Sequence, residues 1–123
     1  SYSRAFEFEL IYESRMFDED TWEGVMKRFL KWMKTNRVII KNIITNIESR
    51  YLRQAIYPLI SQSLEEKADM IIRENADMDG DFLHRFLTYG ITQYILEWAE
   101  SDFKEGINDI MSQMVLLLKK ISS

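Results

Sequence analysis

The chain has 123 residues, 46% apolar and 29% charged, with 16 Lys and Arg against 20 Asp and Glu. That fits one domain with its own hydrophobic core, and the acidic balance argues against nucleic-acid binding as the main task, because neutralising phosphates needs a concentrated basic face. The absence of cysteine excludes a disulfide framework and thiolate chemistry and fits a cytoplasmic protein, while no apolar run approaches the ~20 residues of a membrane span and no signal peptide is visible.

One proline and four glycines are too few for a many-turned β-sandwich, and the charged, Leu/Ile/Met-rich composition favours helices. The expected fold is all-α: an antiparallel bundle of five to six helices forming a single domain over residues 1–123. The chain opens on Ser1 rather than methionine and reads as a domain excised from a longer protein. Residues 3–14 alternate for a few positions in the manner of a strand. With no sheet to join, they read instead as the tail of a helix, with Phe6, Leu10 and Phe17 facing the core.

Asp18-Glu19-Asp20 supplies negative charge for a helix N-terminus, and Asp20 with Glu23 has capping-box spacing. Trp22, Val25, Met26, Phe29, Leu30 and Met33 come next at helical steps, with Lys27, Arg28, Lys31 and Lys34 opposite; Asn36 is the stop, or a cap for the next helix. Arg37 to Ile47 is rich in β-branched residues, which favours a strand, but Val38, Ile39, Ile40, Ile43, Ile44 and Ile47 also form a helical stripe. With no strand to pair with, helix is the better reading. Residues 50–74 carry a further helical pattern, and Pro58 inside it should kink or restart the helix.

Asn75 to Gly80 reads as a loop, after which Asp79 or Asp81 caps the most informative helix. In residues 81–101 Phe82, Leu83, Phe86, Leu87, Gly90, Ile91, Tyr94, Ile95 and Trp98 line one broad face. Ser101-Asp102 is a turn, and the last helix carries Phe103, Ile107, Ile110, Met111, Met114, Val115, Leu117 and Leu118 on its apolar side. Two adjacent helices this apolar suggest a partner surface as well as a core, and Gly90 would let a partner backbone approach closely.

Sites of chemistry are scarce. Asn75, Asp77, Asp79 and Gly80 imitate the start of a calcium loop, but its twelfth position falls on Phe86, where a bidentate glutamate is required. Asp81 and His84 share a helix face, yet a metal bundle needs several such pairs and His84 is the sole histidine. Neither a Gly-x-Ser-x-Gly elbow nor a glycine-rich phosphate loop occurs. No metal, no cofactor and no enzymatic activity are therefore expected. Tyrosines, tryptophans and seven methionines suit either an adaptable cavity or an aromatic-rich core, which give the same periodicity.

The residues D-F-L-H-R-F-L-T-Y-G-I-T-Q-Y-I-L-E-W (81–98), the polar turn A-E-S-D-F-K-E (99–105) and the apolar last helix together resemble the C-terminal, regulatory part of TetR-type transcriptional regulators. The group is that related to the dihydroxyacetone-kinase operon activator, which D-T-W-E-G-V-M-K-R-F-L-K-W-M-K-T-N-R (20–37) also resembles. The likeness extends over roughly residues 10–121.

The resemblance implies an effector-binding and dimerisation domain in which the last two helices, by position 82–99 and 104–121, pack with their counterparts as a dimeric four-helix bundle. It implies dimer contacts at Phe86, Gly90, Ile91, Tyr94, Ile95, Trp98, Ile107, Ile110, Met114 and Leu117. A small apolar or amphipathic effector would meet Trp22, Met26, Phe29, Met33, Tyr51, Ala55, Tyr57, His84 and Thr88. DNA would be reached only through an N-terminal helix-turn-helix absent from this chain. The alternative is a helical interaction and dimerisation module with no small-molecule ligand.

Overall fold

The computed structural model describes residues 21–46, 49–75 and 77–122. Among them are five helices and no strand: α1 (Trp22–Thr35), α2 (Arg37–Asn46), α3 (Ser49–Glu74), α4 (Gly80–Glu100) and α5 (Ile107–Ser122). The expected helix tail with Phe6, Leu10 and Phe17, the acidic run 18–20 and Ile47 lie outside the described residues.

All six positions of the stripe expected in α1 are buried. Its N-cap is Thr21, whose hydroxyl accepts from the Gly24 N–H at 3.3 Å; the Asp20 of the expected capping box lies outside the described residues. Asn36 serves two helices. Its carboxamide donates to the Trp32 carbonyl at 2.8 Å, and its own carbonyl accepts the Ile40 N–H at 3.1 Å. The β-branched run of α2 is helical, burying Ile40 and Ile43.

Helix α3 does not restart at Pro58 but runs through it. Its core face is Leu52, Ile56, Ile60, Leu64, Ala68 and Ile71. Pro58 and Gln54 are both exposed, so the carbonyl four residues before the proline loses its helical donor where water can replace it. At the far end the Asn75 carboxamide donates to the carbonyls of Ile71 at 2.9 Å and Ile121 at 3.4 Å, tying α3 to α5. Helix α4 is capped by the Asp79 carboxylate, which accepts from Phe82 N–H at 3.1 Å, with Asp81 in the first turn.

The turn after α4 differs from expectation. Phe103 is not in the last helix; it and Asp102 have φ of 58° and 66°. Left-handed conformation disfavours residues with a Cβ by roughly 1–2 kcal/mol each. Packing offsets this. Phe103 is buried, its ring meets Trp98 edge-on at 4.8 Å, and the Trp98 indole N–H donates to the Glu105 carbonyl at 2.9 Å. The Phe103 N–H closes the helix end on the Trp98 carbonyl at 2.9 Å.

The longest packed interface is α3 along α4; α1 contacts α3 and α5, and α2 contacts α3 and α4. Two buried threonines interrupt the apolar core, both on α4. The Thr88 hydroxyl donates to the His84 carbonyl at 2.6 Å, whereas the Thr92 hydroxyl has no partner among the described residues.

Two substitutions test this description. Pro58→Ala restores one backbone donor and should raise unfolding free energy by about 1 kcal/mol or more in urea titration. Thr92→Val removes a buried hydroxyl without an acceptor and should stabilise by about 1 kcal/mol; a loss of that size would reveal a hydrogen-bond partner for the hydroxyl.

Candidate functional site

Helix α4 has two unlike apolar faces. The inner one buries Leu83, Leu87, Ile91, Ile95, Leu96 and Trp98. The outer one leaves Phe82, Phe86, Tyr89 and Tyr94 between 46% and 65% exposed. Phe82 and Phe86 stack on each other at 5.6 Å, and Tyr89 meets Tyr57 of α3 at 4.8 Å. Burial, and then Tyr89 as charge neighbour and hydrogen-bond partner, hold the Tyr57 phenol above its usual pKa, so it is neutral at physiological pH. Gly90 lies on the same outer face, and a Cβ built there would meet nothing within 4 Å. On α5, Leu116 and Leu117 are about half exposed.

The residues expected at a dimer contact therefore divide. Phe86, Gly90, Tyr94 and Leu117 are on the outside, Ile107 is half-buried, and Ile91, Ile95, Trp98, Ile110 and Met114 are enclosed in the protomer's own core. Phe82, Tyr89 and Leu116 are exposed as well and are not among the expected dimer contacts, although the sequence pattern puts Phe82 on the broad face. The signal was present, since 82, 86, 89 and 93 lie along one helical stripe. But α4 is apolar nearly all round, and periodicity does not say which side faces inward.

The residues expected to line a cavity do not converge on one space. Trp22, Met26, Phe29 and Met33 are the core face of α1, and Thr88 is fully buried on α4. Ala55, Tyr57 and His84 are half-buried, and Tyr51 is exposed. His84 is a satisfied side chain: its Nε2–H donates to the Ser61 carbonyl at 2.7 Å, linking α4 to α3.

A groove of about 460 Å³ does open between the start of α1 and the middle of α3. Trp22 and Val25 form one wall and Leu59 and Met70 the other, with Gln62 and Ser63 as polar tips and Glu65 and Glu66 at the lip. Glu23 and Lys67 face each other across it at 3.5 Å. Its size is within the ~300–1,000 Å³ of small-molecule sites. Among the described residues no three His, Cys, Asp or Glu side chains are grouped to hold a metal ion, and no helix is long and apolar enough to cross a membrane.

Comparison with curated proteins and with solved structures gives no match. A family model described as a transcriptional regulator C-terminal region, of the TetR type, matches residues 20–120. That match takes in all five helices and both apolar faces of α4: the chain belongs to the family of TetR-type transcriptional regulator C-terminal regions.

Proposed function

We propose that this domain joins two copies of a transcriptional regulator through the outer faces of α4 and α5 and senses a small apolar or amphipathic molecule. The observation that carries the first half is Gly90. A glycine inside a helix costs about 1 kcal/mol relative to alanine, and nothing among the described residues needs it, because a Cβ there would meet none of them within 4 Å. A second backbone crossing at that point would need it. Phe86 and Tyr94, one turn to either side, supply apolar area around the crossing, and α5 adds the exposed Leu117. Several large apolar side chains exposed along one helix are more than the scattered exposure of an ordinary monomer surface.

Sensing then works as a population shift. A ligand that prefers one placement of the helices favours one relative placement of the two copies, which sets the spacing of DNA-reading heads carried elsewhere in the parent protein. The reading without a ligand, a dimerisation module alone, has one observation in its favour: Met26, Leu30, Met33 and Thr88 fill the interior with no exposure above 1%.

Light scattering across a dilution series tests the interface. The expected mass is twice the 14.8 kDa of the chain. Phe86→Glu and Leu117→Glu should give folded monomers, because both side chains are exposed within the protomer. Ile95→Glu would be uninformative, since its site is fully buried and the fold itself would suffer. Gly90→Ala separates two cases. With a partner at the crossing, the dimer dissociation constant should rise tenfold or more. Without one, the mass stays the same and unfolding free energy rises by about 1 kcal/mol.

A further inference from the structure

The Trp22 indole is the one aromatic polar group of α1 that nothing accounts for. The residue is 7% exposed, and its Nε1–H has no acceptor among the described residues. Trp98 shows what this fold does elsewhere, giving its buried indole N–H to the Glu105 carbonyl at 2.9 Å. Burying such a donor unpaired costs free energy that packing alone has to offset. Trp22 also lines the groove between α1 and α3, with its N–H covered rather than open to that space.

We infer that this groove is a binding site for a small neutral molecule with an apolar body and one hydrogen-bond-accepting oxygen, such as a ketone or an ester, which accepts from Trp22. The inference deepens the sensing reading and rests on it. Each part of the ligand class comes from the lining. Val25, Leu59, Met70 and the indole face make the walls apolar. The N–H requires an acceptor, which an ammonium group does not offer. Glu65 and Glu66 stand at the lip, and the lining cation, Lys67, is engaged by Glu23 at 3.5 Å. Three carboxylates against one ammonium disfavour an anion. Gln62 is exposed and Ser63 half-buried, and either can contact a second polar atom of the ligand. The Ser63 hydroxyl donates to the Ile60 carbonyl at 2.8 Å and keeps its lone pairs for accepting.

The N–H is covered, so the ligand oxygen reaches it by displacing a side chain of the wall. That movement makes Trp22 its own reporter. The full chain, labelled with nitrogen-15, shows one indole N–H resonance for each of its three tryptophans, and Trp22→Phe identifies the relevant one. The titrants are 4-fluoroacetophenone, 4-fluorobenzoate and 4-fluorobenzylamine, one ring with a neutral acceptor, an anion and a cation.

The ketone should shift the Trp22 indole proton saturably. It should bind at least tenfold more weakly to Trp22→Phe and lose binding in Gln62→Trp, which fills the groove from an exposed position. The acid and the amine should bind at least tenfold more weakly than the ketone. Saturable shifts at Trp32 or Trp98 that survive both variants overturn the groove and leave the sensing reading standing. A preference for the acid or the amine overturns the ligand class, and the absence of any saturable shift overturns the site itself. Binding at Trp22 that leaves the dimer dissociation constant unchanged keeps the site and removes sensing.

Discussion

Helix α4 carries more apolar surface than one protomer buries. Its inner residues fill the core against α3 with almost no exposure, yet Phe82, Phe86, Tyr89 and Tyr94 remain on the outside. Each of these half-exposed side chains forgoes roughly half of the ~1.5–3 kcal/mol that full burial gives, so the excess is a substantial constraint on the domain. Among the described residues the other elements leave much of it exposed. Tyr57 of α3 leans over the outer edge against Tyr89, and Arg53 of α3 donates to the Gln93 carboxamide oxygen on the same stripe.

The entry into α5 from α4 depends on one short turn. Two consecutive non-glycine residues, Asp102 and Phe103, adopt left-handed backbone, a costly arrangement that persists only where its surroundings over-determine it. Here Trp98 does so twice, through the edge-on contact with Phe103 and through its N–H to Glu105. At the surface Lys41 of α2 reaches Asp102 at 3.1 Å, an exposed ion pair of small energetic value. At the other end Asn75 holds the last turn of α5 by the Ile121 carbonyl. Helix α5 is thus fixed at both ends.

Much of the fold was legible in the residues because local signals agreed. The stripe of α1 specifies its buried face by apolar period, while the asparagine between α1 and α2 and the acidic cap of α4 each specify a boundary by hydrogen-bonding groups that only the right geometry satisfies. Where the reading failed, a competing interaction outweighed the local one. Phe103 looked helical because it is apolar and in phase with Ile107, but it is anchored by Trp98, five residues earlier. Of the kink or restart expected at Pro58, the restart does not occur, because on an exposed face the lost hydrogen bond is water's to replace. The α4 surface was harder. When a helix is apolar on every side, the pattern gives its period and not its phase, so Ile91 and Phe86 were indistinguishable until α3 was in place. The groove was less legible still, because its walls come from Trp22 and from Leu59 and Met70, far apart in sequence and ordinary core types on their own.

The place of the groove bears on how sensing would reach the paired surface. It lies between α1 and α3, while the outer apolar surface belongs to α4 and α5, so a ligand there touches neither paired helix directly. But α1 packs on α5 as well as α3, and Lys67 of α3 grips the first turn of α1 through Glu23. A molecule entering between them separates α1 from α3, and the displaced first turn of α1 bears on α5. For such a wedge to matter it has to bind one helix placement more tightly than the other. Turning a 1:99 population into 99:1 takes about 5.5 kcal/mol of difference. One hydrogen bond supplies a fraction of that. In the proposed dimer two copies would carry two grooves, so the differences would add across the pair, and the same relief at Trp22 would count twice in setting its placement.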